Sequence, residues 1–130
     1  MSTQWAAQFL VAAELERKGY VVTFTMGHAT PVADLMVGNS EGGQFWVDVK
    51  GLASDTSWWG EKKASRRNLF YILVRVGETR DKDRFFILIQ NRFNRLVDEY
   101  RAAHPKSLGG FNWTAPHKFE GKWKKLPGWR

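Results

Sequence analysis

Apolar residues recur at three- and four-residue steps near the start of the chain, and this spacing predicts a helix from Ser2 to Lys18. Ser2 or Thr3 can cap its first turn, and Gly19 follows its last turn, where a left-handed residue is commonly needed. We expect this helix to bury one face, formed by Trp5, Gln8, Val11, Ala12 and Leu15.

Five short runs of β-branched, aromatic and aliphatic residues predict strands. They are Tyr20–Thr25, Asp34–Val37, Gln44–Lys50, Asn68–Val76 and Phe85–Gln90. The turn signal Asn39–Gly43 lies between the second and third runs and predicts an antiparallel hairpin. The last two runs are apolar almost throughout, which is typical of strands covered on both faces. We therefore expect an α/β fold with a central mixed five-stranded sheet flanked by helices.

The remaining segments complete one predicted domain over residues 1–130. The polar stretch Gly51–Arg67 is expected to be a loop that leads into a short helical piece. Helical spacing returns over Asn91–Ala103, whose buried side is expected to carry Phe93, Leu96, Val97 and Tyr100. The tail Phe111–Arg130 contains Trp113, Trp123 and Trp129 and is expected to lie over the core as a short turn or helix.

The amino-acid composition favours one class of binding partner and excludes some kinds of metal site. The 130 residues include 20 Lys and Arg against 13 Asp and Glu, a formal charge of +7, which favours anionic partners and nucleic acid first. Cysteine is absent, which excludes disulfides and thiolate metal sites, so any metal must be held by other ligands, here oxygen. The sequence shows no secretory signal and no apolar run of membrane-spanning length, so we expect a cytoplasmic protein without a membrane partner.

Three polar residues in the predicted hairpin form the most informative pattern. Asp34 opens the second strand, while Asp48 and Lys50 end the third, so an antiparallel hairpin brings all three to one end. Asp48 and Lys50 share a face because strand side chains alternate. Two carboxylates suit Mg²⁺, and a neighbouring lysine can orient a water or offset charge on a phosphate.

The pattern resembles the PD-(D/E)XK nuclease superfamily, which includes many restriction endonucleases and Holliday-junction resolvases. Asp34 matches its first acidic position, Asp48 its second and Lys50 its lysine, and the opening helix AAQFLVAAELERKGY looks like that of its small members. The resemblance implies a restriction-endonuclease-like core and hydrolysis of phosphodiester bonds in DNA. It implies that Asp34, Asp48 and the Val49 carbonyl hold Mg²⁺ or Mn²⁺, that Lys50 activates water, and that a homodimer acts on two strands.

The first helix departs from the family pattern. Related domains often carry a glutamate there, and spacing back from Gly19 places that position at Gln8. Gln8 would support the site without adding charge. Two alternatives therefore stay open: a catalytically weakened nucleic-acid-binding or protein-interaction module of the same fold, and an RNA-directed toxin nuclease.

Residues after the hairpin are candidates for nucleic-acid contact. The basic run consists of Lys62, Lys63, Arg66 and Arg67 and is expected to grip the phosphate backbone. Trp58 and Trp59 are candidates for stacking on bases, although at least one of them is expected to cover the sheet. His28, in the loop before Asp34, is a candidate proton carrier.

Overall fold

The computed structural model describes residues 2–26 and 32–130. Within them the chain forms two α-helices and five strands, each within two residues of its predicted bounds: α1 Thr3–Arg17, β1 Val21–Phe24, β2 Leu35–Gly38, β3 Gln44–Leu52, β4 Leu69–Arg75, β5 Arg84–Ile89 and α2 Gln90–Ala103. Short 3₁₀-helices span Arg80–Lys82, His117–Phe119 and Trp123–Lys125. Ser2 caps α1 through its side chain, and Gly19 adopts φ +91° after it, as predicted.

The strands form one sheet in chain order, from β1 to β5. β3 and β4 are parallel and the other three pairs are antiparallel, which confirms the predicted mixed five-stranded sheet. A parallel neighbour requires the chain to return along the sheet, and residues 53–68 make this connection. The prediction of a short helical piece within Gly51–Arg67 is wrong, because these residues form turns and extended backbone held by an isolated bridge between Trp58 and Phe111.

Side chains from alternate strand positions build a core on each face of the sheet. Val47, Val49 and Ile72 belong to the core under α1, whereas Tyr71 and Leu73 belong to the core under α2. Because Asp48 lies between Val47 and Val49 in β3, its side chain points to the α2 face.

The buried face of α1 differs from the prediction at one residue. Gln8, Val11, Ala12 and Leu15 are buried as expected, together with Ala7. Trp5 is 39% exposed and stacks on Phe9 at the surface. The helix approaches β3 closely at Gly51, where an added Cβ would lie 2.8 Å from the Ala7 Cβ. The contact therefore requires residues with little or no side chain at both positions.

The second helix and the tail cover the sheet as expected. α2 buries Phe93, Leu96 and Val97, while Tyr100 is only half-buried and stacks on His104. In the tail, Trp113 packs against the α2-side core, and Trp123 and Trp129 pack against the α1-side core. No helix in the described part of the chain is long and apolar enough to cross a membrane.

Candidate active site

The β2–β3 hairpin places two carboxylates side by side. The backbone N–H of Asp34, just before β2, donates a hydrogen bond of 3.1 Å to the Val47 carbonyl. The Asp34 carboxylate Oδ2 accepts a 2.7 Å bond from the backbone N–H of Val49 in β3. Asp34 and Asp48 consequently line the same cavity, of about 320 Å³.

Asp48 is buried between two lysine ammonium groups. Lys50 lies two residues along β3 on the same face, with its Nζ 3.0 Å from Asp48 Oδ1. Lys63 comes from the loop between β3 and β4, and its Nζ lies 2.5 Å from Asp48 Oδ2 and 2.9 Å from the Val32 carbonyl oxygen. The Asp48 side chain is only 2% exposed, so water cannot stabilise its negative charge, and the two lysine ammonium groups balance that charge instead.

Burial and the closeness of the two carboxylates change the acidity of groups in the cavity. Burial and the neighbouring Asp48 carboxylate raise the pKa of Asp34, against the opposing effects of the Val49 N–H, Lys50 and Lys63. Tyr71 lies opposite Asp48 in the β3–β4 register, and burial and both carboxylates raise its pKa well above the usual range. The buried Tyr71 hydroxyl has no hydrogen-bond partner within the described part of the molecule.

The donor groups of the cavity fit a small hard cation. Asp34 and Asp48 offer carboxylate oxygens, and the backbone beside them offers the Val49 carbonyl. No cluster of three or more Asp, Glu, His or Cys side chains occurs within residues 2–26 and 32–130, so two carboxylates would be the charged ligands here. Mg²⁺ accepts such a set because it usually keeps several waters and takes one or two carboxylates. Asp48 Oδ1 lies 3.0 Å from the Lys50 Nζ but accepts no hydrogen bond from the described residues, so this buried oxygen is compensated by the ion pair alone.

The residue of α1 that lies at the cavity is Gln4, not Gln8. Gln4 Nε2 donates to the Val49 carbonyl at 2.6 Å, and Gln4 Oε1 accepts from the Gly51 N–H at 3.2 Å. Gln8 is buried one helical turn later and does not line the cavity. Spacing back from Gly19 therefore errs by one turn, because residues four apart share a helix face and spacing alone does not separate them.

The two adjacent tryptophans have opposite environments. Trp58 is 1% exposed, stacks on Trp113 and donates its indole N–H to the Trp113 carbonyl at 3.2 Å. The prediction that Trp58 stacks on bases is therefore wrong, because its ring belongs to the core. Trp59 is 56% exposed at the rim of the cavity.

The basic run also divides into different roles. The ammonium of Lys63 is bound to Asp48 and is therefore not free to contact a phosphate in this structure. Lys62 pairs with Asp98 of α2 at 2.7 Å. Arg66 and Arg67 are exposed, as a backbone grip requires. His28 lies outside the described residues.

Arg66 and Arg67 border a second, larger groove beside the start of α2. It has a volume of about 580 Å³, and its other lining residues include Asn68, Asn91, Asn94 and Arg95. The buried Gln90 joins this groove to the loop that carries Lys63: its Oε1 accepts from the Arg66 N–H at 2.8 Å, and its Nε2 donates to the carbonyls of Lys63 and Ala64 at 3.2 and 3.1 Å.

Comparison with known proteins gives one informative match. Neither a known protein family nor a curated protein matches the sequence. Among solved structures, the chain is similar to the bacterial homing endonuclease I-Ssp6803I, with a TM-score of 0.58 and 11% sequence identity. The match covers 95% of this chain and 87% of the endonuclease chain. At this identity the two proteins share a fold over nearly their whole length.

Proposed function

We propose that this protein is a metal-dependent nuclease of the PD-(D/E)XK type that hydrolyses phosphodiester bonds in DNA. The observation that carries the proposal is the convergence of Asp34, Asp48 and Lys50 at one cavity on the β2–β3 hairpin. The fold shared with a homing endonuclease supports the same reaction class.

Each residue of the site has a defined part in the proposed reaction. Asp34, Asp48 and the Val49 carbonyl would hold Mg²⁺ or Mn²⁺, which as a Lewis acid offsets charge on the phosphate. Lys50 would orient the attacking water, and its place beside Asp48 Oδ1 puts its ammonium at the edge of the same cavity. Gln4 would fix the direction of the Val49 carbonyl, which has a second lone pair free for a ligand.

The basic groove beside α2 supports a nucleic-acid substrate. Arg66, Arg67 and Arg95 line it, and the chain carries a net charge of +7. Guanidinium groups bind phosphates through paired hydrogen bonds, which fixes the position of a nucleic-acid backbone. The exposed Trp59 at the rim of the carboxylate cavity offers a surface on which a base can stack.

Two observations favour the second candidate, a binding module without catalysis. Both oxygens of Asp48 face lysine ammonium groups, and the first helix contributes an uncharged glutamine to the site. In such a module the lysines would neutralise the carboxylate permanently, and the arginine groove would still bind nucleic acid.

The two candidates differ in a cleavage assay. Supercoiled, linear, branched and single-stranded DNA, and RNA as a further substrate, would be incubated with the protein and Mg²⁺, Mn²⁺ or a chelator. The wild type should cut DNA with either metal and not with the chelator. Asp48→Ala and Lys50→Ala should reduce the rate at least about a hundredfold, the usual range for losing one electrostatic group of an active site.

Asp81→Ala serves as the matched control, because Asp81 is an exposed aspartate of the 3₁₀-helix Arg80–Lys82 that lines neither the carboxylate cavity nor the arginine groove. It should cut like the wild type. DNA binding without cleavage by every variant would reject the nuclease in favour of the binding module, and cleavage confined to RNA would assign the toxin-type alternative.

A further inference from the structure

Lys50 and Lys63 reach Asp48 by different routes. Lys50 is fixed by β3 itself, since it lies two residues from Asp48 on the part of the strand that pairs with β4. Lys63 belongs to an irregular loop, and its ammonium lies between two oxygen acceptors, Asp48 Oδ2 and the Val32 carbonyl. The Lys63 ammonium thus lies where two oxygen atoms of the kind that bind hard cations come together.

The loop that carries Lys63 is held at defined points. Gln90 binds the carbonyls of Lys63 and Ala64 and the N–H of Arg66. These bonds fix the backbone and leave the long lysine side chain free to turn about its own bonds. Lys63 is 35% exposed along its side chain, so it has a route to solvent that Asp48 lacks.

We propose that Lys63 is a displaceable counter-cation, which neutralises Asp48 in the metal-free protein and leaves when a divalent cation binds. This inference rests on the proposed nuclease function and adds to it a residue that opposes metal binding. A lysine ammonium and a divalent cation both seek the anionic oxygen of Asp48, and two cations repel each other strongly at such distances in a poorly solvated cavity. The Lys63 ammonium must therefore move away from Asp48 Oδ2, whereas the Lys50 ammonium stays beside Asp48 Oδ1.

Displacement has a consequence for the substrate. The released ammonium remains tethered at the cavity by a loop that also carries Arg66. The nearest large anion in the proposed reaction is the nucleic-acid phosphate. Metal binding would thus move the Lys63 ammonium from the Asp48 carboxylate towards the phosphate, so that the carboxylate becomes free for the metal in the same step.

Metal binding in the absence of DNA tests this role of Lys63. Isothermal titration calorimetry with Mn²⁺ would compare the wild type, Lys63→Met and Lys62→Met. Methionine keeps most of the length of the side chain and removes the charge. Lys63→Met should bind Mn²⁺ about tenfold more tightly or better, because the competing cation is gone. Lys62→Met is the matched control, since Lys62 pairs with Asp98 outside the cavity, and it should bind like the wild type.

Unchanged or weaker binding by Lys63→Met, with normal binding by the wild type, overturns this inference and leaves the nuclease proposal standing. Absence of Mn²⁺ binding in both proteins overturns both proposals. A second measurement uses only the wild-type protein, so its result does not depend on whether the variant folds. Lysine-selective NMR should show the Lys63 ammonium signal change on adding Mg²⁺ while that of Lys62 stays constant; a constant Lys63 signal also overturns the inference.

Discussion

Trp58 and Trp59 are adjacent in sequence, yet one belongs to the core and the other to the surface. Trp58 fills the space between the loop and the tail, where its ring contacts Trp113 and Phe86. Trp59 projects its ring to solvent beside the two carboxylates. Alternation along an extended segment explains the difference, because neighbouring side chains then point in opposite directions.

Alanine substitutions should separate these two tryptophans. Trp58→Ala should lower the free energy of unfolding by about 3–5 kcal/mol, the usual cost of removing a buried aromatic ring. Trp59→Ala should change it by less than about 0.5 kcal/mol but weaken DNA binding by about 1 kcal/mol, the lower end of the range for base stacking. Denaturant unfolding and fluorescence anisotropy with labelled DNA measure the two effects. Unchanged DNA affinity in Trp59→Ala would exclude a stacking role.

At the scale of elements, the connection from β3 to β4 determines where the site's second lysine lies. It forms an isolated bridge with the tail, Trp58 to Phe111, and Gly110 lies directly against it. Gly110 has φ +81°, and an added Cβ would lie 2.2 Å from the Trp58 carbonyl oxygen. The loop and the tail can approach this closely only because residue 110 has no side chain.

Gly110→Ala should therefore destabilise the protein strongly. We expect a loss of more than about 2 kcal/mol of unfolding free energy, since backbone strain and a steric clash act together. Gly121→Ala is the control, because Gly121 also has a positive φ, of +67°, but a Cβ added there would meet nothing within 4 Å. It should lose about 1–2 kcal/mol from conformational strain alone. Thermal or denaturant unfolding decides the comparison, and equal losses would show that the contact with Trp58 is unimportant.

At the scale of the whole molecule, a basic groove and an acidic cavity lie on the same side of the sheet. The arginines of the groove lie on the α2 side of the sheet, the side to which Asp48 points. A polyanion held in the groove would bring its backbone towards the carboxylates, whose own charge is offset by Lys50 and Lys63.

DNA binding should accordingly depend on salt and on local charge. Arg66→Ala should weaken binding and reduce the slope of log K against log salt by about 0.9, the value for one lost phosphate contact. Arg17→Ala removes the same charge from α1, on the other face of the sheet, and should leave the slope unchanged. Equal effects of both variants on the slope would point to net charge rather than to a groove contact.

The sequence predicts those parts of the site that depend on local patterns of residues. It does not predict the parts that depend on how segments distant in the sequence pair with each other. Period-two alternation and the Asn39–Gly43 turn suffice to place Asp34, Asp48 and Lys50 together. Tyr71 lies at the site only because β4 runs parallel to β3 in a particular register, which no local pattern specifies. The contact of Lys63 with Asp48 escapes prediction for a similar reason, since an irregular loop has no periodicity. The one-turn error between the two glutamines of α1 follows from the repeat of the helix itself.

Anomalous diffraction from crystals soaked in Mn²⁺ tests most directly whether the two carboxylates hold a metal. We predict a manganese peak about 2.0–2.3 Å from carboxylate oxygens of Asp34 and Asp48 and from the Val49 carbonyl oxygen, distances typical of small divalent cations. The Lys63 ammonium should have moved away from Asp48 in the same map. A peak elsewhere on the molecule, or no peak at millimolar Mn²⁺ while Lys63 stays on Asp48, would contradict the proposed metal site.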